Sequence, residues 1–266
     1  MSFYTSLSGL RNAQTDLGVI AHNIANVETG GFKKSSVQFG DIVAGNNPKL
    51  MTGLGATVES INQNFTLGPI EQTGGALDMA INGDGFFTTA DAVTGQMLFT
   101  RNGSFTMDEA RFIHDGSDNR LQVYPTDAAG TVTGTTPQDA QVPATNNGFE
   151  FAGIAVAENG NITATYADGS NVVIGKVAVA NFVAPTGLKQ AGSSNWESTG
   201  LSGAPAFGMP GEGLYGDLLS GNLERSNVDI AEELVGLITA QRNFQANAKA
   251  IDTATQISQT IINLRT

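Results

Sequence analysis

The chain has 266 residues, 40% of them apolar, with 33 glycines, no cysteine and a formal net charge of −12. One or two turn-rich domains are expected, disulfides and cysteine-held metals are excluded, and the acidic balance argues against a nucleic-acid partner. No run of 18 apolar residues occurs, so no membrane insertion is expected, and the opening "MSFYTSLSGLRNAQTDLG" lacks the basic leader, apolar stretch and cleavage site of a secretory signal.

From Phe3, apolar residues recur at sevens through Leu10, Leu17 and Ile24, with Leu7, Ile20 and Ala21 in the adjacent row. The spacing predicts an amphipathic helix of about six turns. Asn26 and then Gly30-Gly31 end it. Glycines followed by Lys33-Lys34 could wrap a phosphate, but Phe32 separates Gly31 from Lys33 and the Walker spacing fails. The stretch "HNIANVETGGFKKSSVQF" therefore reads as a helix stop followed by a solvated basic turn, with Gly31 at positive φ where the chain turns.

Further along, the period changes to two. "LDMAINGDGFFTTA" and "MLFTRNGSFTMDEARFIHDG" read as strands punctuated by Asn82-Gly83 and Asn102-Gly103, and "LQVYP" as a strand closing on Pro125. Residues 127–148, rich in Thr, Gly, Ala and Pro, form one long loop. "AGIAVAENGNITATYADGSNVVIGKVAVANFV" is a meander of three strands turning at Asn159-Gly160 and Asp168-Gly169, dipeptides that tolerate positive φ. A single antiparallel β-domain over residues 72–215 is expected.

In "SNVDIAEEL", Asn227 or Asp229 is the N-cap of a second helix, with Glu232 in capping-box position. Leu223, Ile230, Leu237, Phe244 and Ile251 recur at sevens, and Leu234, Gln241, Ala248, Thr255 and Ile262 form a companion row. Unbroken to Leu264, this helix would run about 36 residues and span roughly 54 Å. Ala250, Ala254, Ile257, Ile261 and Leu264 make a second stripe on another face. One short N-terminal helix cannot cover two faces. Leu10, Leu17, Ile24, Leu234, Leu237, Phe244, Ile251, Ile257, Ile261 and Leu264 are therefore expected to pack between copies of the chain. Charge agrees: residues 1–39 and 223–266 are nearly neutral, whereas residues 40–222 carry six Lys/Arg against eighteen Asp/Glu. Self-repulsion is kept out of the ends that would pack together.

His22 and His114 stand far apart with no nearby nucleophile, and His22 is better placed to cap a helix end. "HDGSDNR" lacks EF-hand spacing, and no serine elbow or His-Glu-x-x-His pair occurs. No enzymatic activity, cofactor or metal is expected. A carbohydrate-binding or hydrolytic β-domain with oligomerisation arms is the rival reading, and Trp196 alone is a poor platform for it.

Asn23, Ile24, Ala25, Asn26, Thr29, Gly31, Phe32, Lys33 and Phe39 form a pattern that resembles the N-terminal signature of the flagellar rod and hook axial protein family. "SNVDIAEELVGLITAQRNFQANAKAIDTATQISQTIINLR" is similar to that family's C-terminal signature, and "LDMAINGDGFF" and "FTRNGSF" to two internal landmarks. With the predicted elements this implies an α+β subunit in which N- and C-terminal helices (1–30 and 223–266) form a coiled-coil-like inner-tube domain around a channel. Residues 31–71 and 216–222 would connect it to an antiparallel outer β-domain, 72–215. The junction motif Asn23, Asn26, Thr29, Gly31, Phe32 and Lys33 would lead the chain from inner tube to outer domain.

The resemblance also implies a homopolymer whose partners are rod and hook–filament junction proteins, the hook cap and the flagellar export apparatus. Its expected place is the basal body and hook outside the cell, reached without a cleaved signal peptide. "MSFYTSLSGL" and "LERSNVDIAEELVGLITAQRNFQANA" resemble hook proteins more than distal rod proteins, and residues 40–55 are too short for the distal rod's insertion there. The implied function is the hook, the flexible joint passing motor torque to the filament, in a short form lacking the usual second outer β-domain. A rod subunit is the alternative.

Overall fold

The computed structural model describes residues 2–44 and 52–264, so part of the stretch 40–55 lies outside the described residues. The fold is α+β and divides into two compact units. The first comprises Met1–Val27, Lys34–Asn64 and Val228–Thr266, the second Glu28–Lys33 and Phe65–Asn227. The chain passes between them at 27/28, 33/34, 64/65 and 227/228.

In the first unit, helix α1 (Ser2–Ala25) is followed by strands β1 (Ser35–Ala44) and β2 (Thr52–Gln63) and, at the other end of the chain, helix α2 (Ile230–Asn263). The segment 31–71, expected only to connect, thus contains a long antiparallel hairpin that packs against α1. Asn26 closes α1 by donating from Nδ2 to the His22 carbonyl at 2.9 Å, which satisfies a last-turn acceptor. Asp229 is the N-cap of α2 and accepts from Ala231 N–H at 2.8 Å and Glu232 N–H at 3.1 Å. The Glu232 carboxylate takes the Lys34 ammonium at 2.9 Å. α2 has 34 residues, two fewer than the spacing predicts.

α1 and α2 pack along an antiparallel seam, with Asn23 beside Glu233, Ile20 beside Gly236 and Gly9 beside Asn247. The seam differs from the expected companion row. Buried positions are Ala13, Ile20 and Asn23 on α1 and Glu233 and Ala240 on α2, whereas Leu234 and Ile262 are exposed. Close approach is the reason: a Cβ on Gly9 would sit 2.5 Å from the Asn247 amide oxygen, so small residues hold the seam.

The second unit is all antiparallel. Its main sheet runs in the order Thr145–Asn146, Phe149–Val156, Asn161–Tyr166, Asn171–Val177, Asn119–Tyr124, Phe86–Asp91, Met97–Thr100, Asn195–Glu197, Lys189–Gly192. The meander is present, with Gly160 and Gly169 at φ 84 and 80. Period-two burial follows the sequence: Ile162, Ala164 and Tyr166 point inward from one strand. Residues 127–148 are not simply a loop. They hold two short strands, Gln138–Asp139 and Thr145–Asn146, and send Ala140 and Val142 into the core. A second cluster groups Phe86, Phe99, Phe182 and Trp196 edge to face. Trp196 is buried there and offers no surface platform.

Candidate assembly surface and chain junction

The first unit leaves apolar surface uncovered because α1 is enclosed by two neighbours and α2 by one. α1 packs against both α2 and the hairpin. Leu10, Leu17 and Ile24 on α1 and Leu237, Phe244 and Ile251 on α2 are accordingly half-buried. Leu234, Ile257, Ile261 and Leu264 are 45%, 56%, 60% and 83% exposed, and Val235, Ile238 and Ile262 join them at 50% or more. A run of apolar side chains exposed along one helix is far from the scattered exposure of an ordinary surface.

The family-like motif divides between the units. Asn23 is buried in the first: its Nδ2 donates to the Ser35 carbonyl at 2.8 Å and to Glu233 Oε2 at 3.2 Å, and its Oδ1 accepts from Ser35 N–H at 2.9 Å. One side chain thereby joins α1, the start of β1 and the first turn of α2. Phe39 is exposed on β1.

Thr29, Gly31, Phe32 and Lys33 belong to the second unit, where the Thr29 carbonyl accepts from Phe32 N–H at 3.3 Å. Gly31 has φ 65, as the turn requires, and its N–H donates to the Glu224 carbonyl at 2.8 Å. A Cβ there would lie 2.4 Å from the Asn102 backbone nitrogen, so Gly31 is constrained by contact as well as by φ. Phe32 is buried.

Lys33 overturns the expected solvated turn: its side chain is fully buried. Its ammonium pairs with Glu224 Oε1 and donates to the Thr66 carbonyl at 2.7 Å. Arg101 Nη1 reaches Glu224 Oε2 at 3.4 Å, and Gly68 N–H donates to Glu224 Oε1 at 2.9 Å. Arg101 also donates to the Ile81 and Gly83 carbonyls. Burial pushes both Lys33 and Arg101 below their usual pKa values, and in each case Glu224 pulls the other way. Lys33, Thr66 and Glu224 all belong to the second unit, and each lies within three residues of a passage between units. Beside this hub Arg225 pairs with Glu71 and, at 3.1 Å, with Glu28, and the carboxylates raise its pKa.

The sequence does not mark Arg101 and Glu224 as functional residues, although they sit inside the motifs "FTRNGSF" and "LERSNVDI". Arg101 is the lone charge of its motif, a signal that sequence offers, whereas Glu224 sits beside Arg225 and carries none. Among the described residues no group of three His, Asp or Glu is placed to hold a metal ion.

Three family models match this chain: "Flagella basal body rod protein" at residues 3–33, "Flagellar hook protein FlgE/F/G D1 domain" at 80–164, and "Flagellar basal body rod FlgEFG protein C-terminal" at 219–264. The chain is 34% identical to the flagellar basal-body rod protein FlgG of Bacillus subtilis, covering 99% of this chain and 98% of the relative. It is 31% identical to FlgG of Agrobacterium fabrum, covering 96% and 95%. With the flagellar hook protein FlgE of Escherichia coli it shares 27% identity, covering 100% of both chains.

Proposed function

Because this chain belongs to the flagellar hook and rod axial protein family, we propose that it is a structural subunit of the flagellar hook that polymerises with copies of itself and has no catalytic role. The observation that carries this reading is the exposed apolar residues of α2 on two faces, Leu234 and Ile238 near its start and Ile257, Ile261 and Leu264 near its end. Full burial of such a side chain contributes about 1.5–3 kcal/mol, and about half or more of that is forgone at each of these positions. In the proposed tube, α1 and α2 line the inside, the β-domain (72–215) stands outside, and the intervening segments connect them. Leu10, Leu17, Ile24, Leu237, Phe244 and Ile251 pack the inner layer together with the exposed residues of α2. The partners are rod and hook–filament junction proteins, the hook cap and the export apparatus.

A rod subunit is the second reading, and a specific observation favours it. The alignment with the rod protein of Bacillus subtilis spans 281 positions, whereas that with the hook protein of Escherichia coli spans 407, or 141 more than this chain's 266 residues. Resemblance of both terminal motifs to hook proteins supports the first reading. Electron microscopy of the concentrated full chain tests self-assembly: tubes are expected, and a chain that stays monomeric at high concentration overturns it. Bending rigidity of those tubes decides the second question. Curved, compliant tubes support a hook; straight, stiff ones a rod.

A further inference from the structure

The seam between α1 and α2 does not reach the end of α2. With Gly9 beside Asn247 in an antiparallel pair, Ser2 stands near residue 254, and α2 continues for about two and a half turns beyond it. On that overhang Ile257, Ile261 and Leu264 fall at i, i+4 and i+7, one face of the helix, and all are exposed. No Gly or Pro interrupts α2 after Gly236, so the overhang cannot fold back onto its own unit.

The same unit carries an open groove of about 380 Å³ between α1 and the hairpin, lined on α1 by Tyr4, Leu7 and Arg11 and on the hairpin by Ile42, Ala56 and Val58. Its walls are fixed to each other, since Ala56 N–H donates to Ser8 Oγ at 3.3 Å. The α1 wall spans Tyr4 to Thr15, about 16 Å at 1.5 Å per residue, while the overhang's stripe from Ile257 to Leu264 needs about 10 Å.

We propose that the α2 overhang of one subunit seats in this groove of a second copy. This rests on the self-assembly reading above and names the contact within it. Electrostatics select the occupant. Residues 253–264 carry no charged side chain, and the last turn of α2 has no basic residue to offset the partial negative charge of its end. Arg11 is the one charged residue among those lining the groove, and its guanidinium makes no ion pair among the described residues. A helix end with one exposed apolar stripe and no charged side chain in its last turns therefore meets a groove that sets Tyr4, Leu7, Ile42 and Val58 among Ser8, Asn12, Thr15 and Thr57 around one cation. Groove and overhang are different surfaces, so the contact is head-to-tail and generates an open polymer instead of a closed dimer.

The chain has no cysteine, so introduced pairs report without background. The full chain is first shown to form tubes; if it does not, the self-assembly reading itself falls. A mixture of Tyr4→Cys and Ile261→Cys subunits, assembled and then oxidised, is expected to give a disulfide-linked dimer, and neither variant alone should give it. A mixture of Tyr4→Cys and Ile238→Cys should not either. Tubes without the Tyr4→Cys/Ile261→Cys dimer, or with equal linking through Ile238→Cys, overturn the docking and leave self-assembly standing.

If the cysteine variants do not polymerise, the charge pair decides. Arg11→Glu is expected to raise the concentration needed for assembly about tenfold by setting like charge against the helix end, and adding Asn263→Lys should recover most of that loss. Unchanged assembly of Arg11→Glu, or no recovery in the double variant, overturns the proposal.

Discussion

The β unit encloses a large buried core of its own, with Val93, Val183, Leu201 and Leu214 left at its surface, whereas the helical unit leaves one helix largely uncovered. In the former, Phe86, Phe99, Phe182 and Trp196 close an aromatic cluster, and the two buried cations of the hub share a buried carboxylate. In the latter, α2 shows Val235, Ile238, Ile257 and Ile261 to water. Many strands can wrap a core completely. Two helices and one hairpin cannot enclose a helix that is apolar on two faces. The contrast assigns stability to one region and association to the other, and separate substitutions can break each.

The largest effect is expected from Glu224→Ala, which leaves Lys33 and Arg101 buried without their counter-charge. Removing one partner of a buried ion pair costs about 3–5 kcal/mol, measured as loss of denaturant stability of the monomer. Lys33→Met should cost less, because Arg101 and Glu224 remain paired. A smaller loss for Glu224→Ala than for Lys33→Met would show that the hub is not organised around the carboxylate.

Gly31→Val comes next. Positive φ alone costs a β-branched residue about 1–3 kcal/mol, and the Asn102 backbone leaves no space for a Cβ. Secreted but poorly assembling protein and weak swimming are expected. Normal hooks on isolated hook–basal bodies would sink this account of the junction.

Phe244→Asp sharpens the comparison itself. A charge placed in the half-buried α1–α2 seam has no counter-charge there, so polymerisation should be blocked while the β unit keeps its own cooperative melting transition. If that transition disappears too, the two regions are not energetically separable.

The smallest effect is expected from Lys34→Ala. Its pair with Glu232 is solvent-exposed on the glutamate side, and such pairs contribute about 0–1 kcal/mol. Swimming should be nearly normal, in contrast with Gly31→Val at the same junction.

Much was legible in the sequence because it depends on local geometry. The heptads of both helices, the Asp229 cap, the Asn-Gly and Asp-Gly turns of the meander and positive φ at Gly31 all follow from backbone periods and residue-level torsional preference, which need no distant partner. The uncovered stripe of α2 was legible for the same reason: a 3.6-residue period tells how many faces are apolar without telling what meets them.

Long-range contacts decided the rest. Lys33 looks like a surface lysine beside Lys34 until Glu224, 191 residues away, receives it in the interior. Asn23 becomes a fastener only because Ser35 and Glu233 converge on it. Small residues (Gly9, Ala13, Gly236 and Ala240) alternate with Ile20, Asn23 and Glu233 along the helix seam, since the approach of two helices is set by what both present at the contact. Periodicity is a property of one segment and survives in the bare sequence. Burial of a charge and choice of a seam are properties of pairs, and only the tertiary structure brings the pairs together.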